Sequence, residues 1–413
     1  MDSYRIAAID VHKSMLAVVV TDAAIEGELP FQRRKFGTLG SALKELAEWL
    51  TALQVQEVVM ESTAQYWKPV WQRLEGQCQL HLAQAHSNRA RRGRKDDFRD
   101  AERLARRHLS GELILSFVPD PEQRLWRTLT RSKHQLTRDR VRLHNQLEAL
   151  LEDARIKLST CVTDLLGVSS RHMLEQLAQG ETGPAVLAAL AEPMLRASPE
   201  ELTDALSGAA EMSTMHRQIL RLFLERLELM ERQMGVLDRT IAATLQLHQD
   251  AVVRLAAVPG LGADSAQQII AELGPKAATF RSPQELASWV GVCPGREESA
   301  EVSKNNQSPK GNRTMRRVLN QAANSGRKTK GSIFQALYQR WLPRLGHNKT
   351  IWVIAHRLCR VVWIILHRGE QYIEFRNSRD PKDAAKRTSR LIHKLPRLGY
   401  QVTPPTPTPR VPS

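Results

Sequence analysis

The sequence predicts an α/β N-terminal domain, an α-helical coiled-coil spacer and a mainly α C-terminal domain carrying a helix-hairpin-helix element. Three observations predict it. Short β-prone runs ending in carboxylates alternate with helical stretches near the N-terminus, an order that puts acids at the strand ends of an α/β domain. Apolar residues from Leu220 to Ile241 recur in steps of three and four, the pattern of a heptad seam. Glycines stand immediately before a helical stretch at Pro259-Gly260-Leu261-Gly262.

Taken in order, Tyr4 to Val20 reads RIAAID, VHKSM, LAVVV: a strand, a tight turn and a second strand, with Asp10 closing the first strand. A helix follows from Ser41 to Leu53. A short apolar strand from Glu57 ends at Glu61, a helix begins near Tyr66, and Leu80 to Ala83 forms another strand before the basic run Asn88 to Lys95. Pro121 to Leu151 places Leu125, Leu129, Leu136, Leu143, Leu147 and Leu150 at helical spacing among many arginines. The seam of Leu220, Phe223, Leu227, Met230, Met234, Leu237 and Ile241 is expected to dimerise as a coiled coil. SAQQIIAEL, PQELASWVG and NRTMRRVLNQAA signal helices in the C-terminal part. The expected domains are 1–118, 119–250 and 251–375, with a basic, disordered Pro/Thr-rich tail over 376–413.

Charge narrows the function. The 413 residues carry 60 Lys and Arg against 44 Asp and Glu, a formal +16. Such an excess favours a polyanionic partner, and nucleic acid gains most because neutralised phosphates release counterions. A membrane fits poorly: the most apolar C-terminal stretch, Trp352 to Leu366, is short and interrupted by His356, Arg357 and Arg360. Cys78, Cys161, Cys293 and Cys359 form no CxxC pair, which argues against a zinc ribbon or a disulfide framework. With no apolar leader in MDSYRIAAIDVHK, the expected compartment is the cytoplasm.

The acids carry the chemistry. Two carboxylates about 4 Å apart repel by roughly 4 kcal/mol at an effective dielectric of about 20, so a cluster implies a cation or a shared proton. Asp10 and Glu61 both end apolar strands, while Asp97 and Asp100 share a face at the start of DFRDAERLARR. Oxygen-only ligands suit Mg²⁺ or Mn²⁺, and such ions serve phosphoryl transfer. Arg89, Arg91, Arg92, Arg94, Lys95 and Arg99 crowd the second pair, as residues delivering a phosphate backbone would. Each acid alone has a plain alternative as a turn or helix-start residue. Spacing leaves Asp96 and Asp97 equally eligible.

In the C-terminal half, Gly260 and Gly262 would let backbone amides approach a phosphate. GVCPGREESAEVSKNNQSPKGNRTMRRVLNQAA reads as a polar loop between helices. Lys304, Lys310, Arg313, Arg316 and Arg317 suit DNA or RNA backbone contacts, although a solvated helix face would use the same residues. Any serine here is by itself a solvated hydroxyl or a cap, and no His or Asp completes a hydrolytic triad. Trp352, Trp363 and Phe334 read as core.

The strings AAIDVHK, MESTAQYW and GRKDDFRDAERLA resemble the three signature stretches of insertion-sequence transposases with a RuvC-like DEDD domain, relatives of the Piv invertase. PGLG, the AxxxGxxP pattern of ASWVGVCP, and the later KGN-RR segment resemble the transposase domain that follows in the same family. The resemblance implies an RNase H-like fold for the first domain and places Asp97, rather than Asp96, among the metal ligands. It implies that Ser299, in Glu298-Ser299, is a nucleophile, although this chain has Ala300 and Glu301 where the family often has Gly. It implies a guide (bridge) RNA beside DNA, and a homo-oligomer whose spacer brings serine and carboxylates together. Two other readings use the same residues: a RuvC-like nuclease or Holliday junction resolvase employing water, and an inactive nucleic-acid-binding scaffold.

Overall fold

The computed structural model describes residues 4–24, 29–61, 64–85, 96–293, 297–299, 302–305 and 310–374. The chain divides into two compact units at Pro119/Asp120.

The first unit is built on a five-stranded sheet of order β3-β2-β1-β4-β5. Its strands are β1 (Arg5–Val11), β2 (Met15–Asp22), β3 (Gln32–Gly37), β4 (Val55–Glu61) and β5 (Gln79–Ala83). β1 pairs antiparallel with β2 and parallel with β4, and β4 pairs parallel with β5. Side chains alternate across a strand, so each face has its own set of neighbours. Ala7, Ile9, Val11, Val58 and Met60 pack against α1 (Gly40–Ala52) and α2 (Trp67–Leu74). Ile6, Ala8, Val59 and Ala83 pack against Ala101, Leu104 and Ala105 of α3 (Asp97–Leu109). β1 and β4 are therefore covered on both sides, which is why they read as nearly continuous apolar runs.

β3 is a strand the sequence did not announce. Gln32, Arg33, Arg34 and Lys35 are exposed and only Phe36 is buried, so no alternation of apolar residues marks it. Charged side chains on an edge strand discourage pairing with other chains. The resulting mixed sheet, with helices on both faces, is consistent with a RuvC-like domain.

Among the described residues the second unit is helical apart from one hairpin. Two long helices, α4 (Pro121–Asp153) and α9 (Thr214–Thr244), are separated by the short helices α5 (Leu158–Cys161), α6 (Val168–Gln179), α7 (Pro184–Ala188) and α8 (Pro199–Ala205). Leu220, Leu227 and Met230 of the heptad seam are buried with Leu143, Leu147 and Leu151 of α4 and with α6. The seam is thus covered within the chain, and its burial requires no second copy. On α4 the periodicity is shifted by one residue at each end: Leu125 is half exposed while Trp126 and Leu151 are buried.

Five helices complete this unit: α10 (Gln249–Ala256), α11 (Ala263–Leu273), α12 (Pro283–Val290), α13 (Arg313–Gly326) and α14 (Ile333–Arg368). Trp126 of α4 and Ile241 of α9 belong to their core, together with Phe334, Leu358, Val362 and Trp363. α14 has the length and composition of a membrane span, yet many of its apolar residues, including Ile351, Leu358, Cys359 and Ile365, are buried in this core. It bends at Gly346, whose φ of 72° favours glycine. Inside the stretch that reads as a loop, β6 (Glu297–Ser299) pairs antiparallel with β7 (Val302–Asn305). So short a hairpin, without alternating apolar residues, leaves little signature in the sequence. The 376–413 tail lies outside the described residues.

Candidate functional site

One end of the α3-covered sheet face gathers the acids. Asp10 lies on β1 in phase with Ile6 and Ala8, and Glu61 lies on β4 in phase with Val59, so the pleat carries both toward the α3 side. The parallel register pairs Ile9 with Met60, which puts Asp10 and Glu61 on neighbouring strand ends. α3 starts beside them with Asp97 and Asp100 in its first turn.

Asp96 is committed elsewhere. Its carboxylate caps α3, accepting from Phe98 N at 3.0 Å and Arg99 N at 3.3 Å. Asp97, the first residue of the helix, instead lies 3.3 Å from His12. This separation was invisible to spacing, since both acids lie within one turn of Asp100.

His12 is the residue sequence reasoning missed. Its Nε2 lies 3.0 Å from Asp10 Oδ2 and 3.3 Å from Asp97 Oδ1, linking strand and helix. One donor atom from each of Asp10, His12 and Asp97 lies within 4.8 Å of the other two. The available signal was the spacing Asp-x-His at the end of β1, where the turn folds the ring back over the carboxylate. Asp100 also pairs with Arg103, whose Nη1 is 2.8 Å from Oδ1.

Burial pushes the Asp10 carboxyl above its ordinary range; Asp100 and Asp97 add repulsion, and His12 partly offsets both. An acidic cluster that raises the proton affinity of its own central member fits a hard divalent cation, which would relieve burial and repulsion together. The carboxylates of Asp10, Glu61, Asp97 and Asp100 could offer oxygen, the preference of Mg²⁺ and Mn²⁺, with the His12 nitrogen beside two of them. Arg89, Arg91, Arg92, Arg94 and Lys95 lie outside the described residues.

The remaining candidates lie in the second unit. Ser299 ends β6 and pairs with Val302, and Lys304 lies on β7. Lys310 is exposed, as is Arg313 at the first position of α13. Arg316 is engaged within the chain: it donates to the Gly291 carbonyl at the end of α12 and stacks over Trp352, 4.6 Å from the ring centroid. Trp352 is accordingly only partly buried, unlike Trp363 and Phe334. Arg317 donates to Gln268 and to Gln321. These contacts favour structural roles for Arg316 and Arg317 over free backbone-contacting ones.

The glycines divide in the same way. Gly262 is the exposed N-cap of α11. Gly260 has φ 92°, and a Cβ there would overlap the Ala322 carbonyl and lie 2.6 Å from Gly326 N. It is glycine because α13 passes against it, rather than to clear space for a phosphate.

Two family models match in series. One, described as "Transposase" and representing the DEDD domain of IS110 transposases, matches residues 7–156. The other, described as "Transposase IS116/IS110/IS902 family", matches residues 253–339. A probable family 20 transposase of Pseudomonas aeruginosa is 25% identical over 287 residues, covering 68% of this chain and 75% of that protein. The first match spans the four carboxylates and the second spans β6, β7 and α13. An α/β DEDD domain followed by this helical region defines a DNA transposase, an enzyme of strand transfer. The chain belongs to the IS110/IS116 family of transposases.

Proposed function

We propose that this transposase cuts and rejoins DNA with Mg²⁺, or Mn²⁺ in its place, held by Asp10, Glu61, Asp97 and Asp100, and with Ser299 as nucleophile. The observation supporting the metal half is the convergence of those acids at one end of the sheet, where Asp10 is raised by burial and by its acidic neighbours. When bound, the cation supplies Lewis-acid stabilisation of charge on the scissile phosphate. The chain's own residues hold that charge in place: Asp96 fixes the start of α3, and His12 ties Asp97 to Asp10. Ser299 Oγ, giving up its proton, would attack the phosphorus and displace one DNA hydroxyl oxygen, leaving a serine–DNA phosphodiester; attack on that ester by a free DNA hydroxyl would rejoin the strand and release the serine.

A bridge RNA would select the DNA sites, as the family resemblance implies. Lys310 and Arg313 are the exposed cations best suited to a nucleic-acid backbone on α13 and its approach. A homo-oligomer would let the serine of one protomer serve the carboxylates of another. Met215, Leu222, Leu229 and Val236 support it: seven residues apart on α9, they are exposed on the helix whose other seam is already covered.

The test is strand exchange by Ser299→Ala protein with co-purified RNA. The expected result is retained DNA binding with no covalent adduct and no exchange. Exchange at the wild-type rate would refute the serine and leave a water-using nuclease or resolvase. Sequencing should find one discrete RNA in the purified complex, and its absence would refute guidance while leaving the carboxylate chemistry untouched.

A further inference from the structure

At the far end of α3 from the acids, three side chains of different character meet over the same sheet face. Glu57 lies near the start of β4, His81 on β5 two positions beyond the partner of Glu57, and His108 in the last turn of α3. Glu57 Oε2 is 2.8 Å from His108 Nε2 and 3.2 Å from His81 Nε2. The two rings are 4.7 Å apart at 44°. One ligand atom from each residue lies within 4.8 Å of the others.

We propose that Glu57, His81 and His108 form a transition-metal site, with zinc as its natural occupant, separate from the carboxylate cluster. Two imidazoles and one carboxylate are the donor set of three-ligand zinc sites. Two ligands at ~2.0 Å and tetrahedral geometry stand roughly 3.3 Å apart, close to the separations seen here. Imidazole nitrogen favours Zn²⁺ over Mg²⁺, and this site offers two imidazoles, whereas the cluster at the other end of the helix is mainly carboxylate, with His12 its one imidazole among the described residues.

A second observation points to a ligand. His81 Nε2 is buried and, among the described residues, has no hydrogen-bond partner: it approaches Glu57 without bond geometry. A buried ring nitrogen set toward the same point as its neighbours, without bond geometry to any of them, is placed as an imidazole ligand is before it binds. The outer contacts are also those of a ligand set. Tyr4 Oη donates to Glu57 Oε1, holding that oxygen and turning Oε2 toward both histidines, as an outer-shell partner does. The three side chains are only 13–18% exposed, enough to admit an ion while limiting competition from water.

Such an ion would pin the C-terminal turn of α3 to β4 and β5. Asp97 lies 11 residues earlier on the same helix, ~16 Å along its axis. α3 would then be held to the sheet at both ends, by zinc at His108 and by the carboxylate cluster at Asp97 and Asp100.

The experiment uses the full-length protein, stripped with chelator and dialysed against Zn²⁺ in excess Mg²⁺. Bound zinc is counted by elemental analysis and its ligands are read by X-ray absorption. The expected result is one zinc per chain with two imidazole nitrogens in its first shell. It should be retained in Asp10→Asn and lost in Glu57→Gln and His108→Gln. Tyr4→Phe, which leaves every ligand in place, should weaken zinc about 10–100-fold. Wild-type protein that retains no zinc, or zinc with fewer than two imidazole nitrogens that is lost in Asp10→Asn, would overturn the site. The wild-type spectrum decides the matter even if a ligand variant fails to fold.

Discussion

Replacing Glu272 by Ala should destabilise the second unit by about 3 kcal/mol, the lower end of the cost of breaking a buried ion pair. Glu272 is 0% exposed and sits on α11 facing α4 and α13. Arg131 reaches it through Nε at 2.8 Å and Nη2 at 2.9 Å, Asn312 Nδ2 lies at 2.9 Å, and Arg127 Nε at 3.4 Å. The two arginines do not lose equally. Arg131 is 50% exposed and regains water when its partner goes, whereas Arg127 is 13% exposed and does not. Burial already pulls the Arg127 guanidinium down to about 10, against the opposing pull of Glu272. Without the carboxylate, the buried guanidinium keeps its bonds to the Ala271 and residue-272 backbone carbonyls but loses the largest charge that opposes its burial.

For a unit of this size, 3 kcal/mol corresponds to a fall in Tm of roughly 6–12 °C. Calorimetry on Glu272→Ala and Glu272→Gln reads it directly, with Gln keeping an acceptor for Arg131 and losing about half as much. Replacing Glu272 and Arg127 together by Met should recover most of the stability, because an apolar pair of similar volume leaves no orphaned charge. A Glu272→Ala protein melting within 2 °C of wild type would refute the reasoning.

Three further outcomes follow from named contacts. Gly260→Ala should destabilise by about 2–4 kcal/mol, combining a left-handed backbone with overlap against α13, and thermal melting checks it; an unchanged Tm with weakened DNA binding would restore the phosphate-approach role. Asp96→Ala should cost about 1 kcal/mol of helix capping and leave divalent-cation binding within a few-fold, while Asp97→Ala should do the reverse; calorimetric Mn²⁺ titration separates them, and equal metal loss would contradict the division. His356 is held below its ordinary value by burial and by Arg360 and Arg357. Below about pH 6.5 the unfolded chain therefore binds a proton that the folded one refuses, so stability falls as pH falls through that window. His356→Gln should flatten the Tm–pH slope between pH 7 and 5, and equal slopes would contradict the assignment.

The sequence was most legible where burial imposes a period. β1, β2, β4 and β5 and the long helices announce themselves because one or both of their faces are apolar. β3 does not, since an edge strand of Arg33, Arg34 and Lys35 has one buried residue and no alternation. The heptad on α9 was legible as a seam, but periodicity does not say what fills it, and α4 of the same chain does. At the site, the strand-end acids were legible because α/β topology brings strand ends together. The roles of Asp96 and His12 depended on the cap and the turn, which appear only once the backbone is in place. Gly260 and Arg316 were read toward a ligand because their partners, Ala322, Gly326, Gly291 and Trp352, are remote in sequence.

The carboxylate cluster is tested most directly by the rate of Mg²⁺-dependent strand cleavage in Asp10→Asn, with folding checked by its melting curve. Asparagine keeps the shape and removes one charge from the centre of the cluster. Cleavage should fall on the order of 10²-fold or more at saturating Mg²⁺, with Tm preserved or raised because a buried, repelled carboxylate has gone. Cleavage at the wild-type rate, in a protein that still requires Mg²⁺, would contradict the claim that Asp10 holds the metal ion.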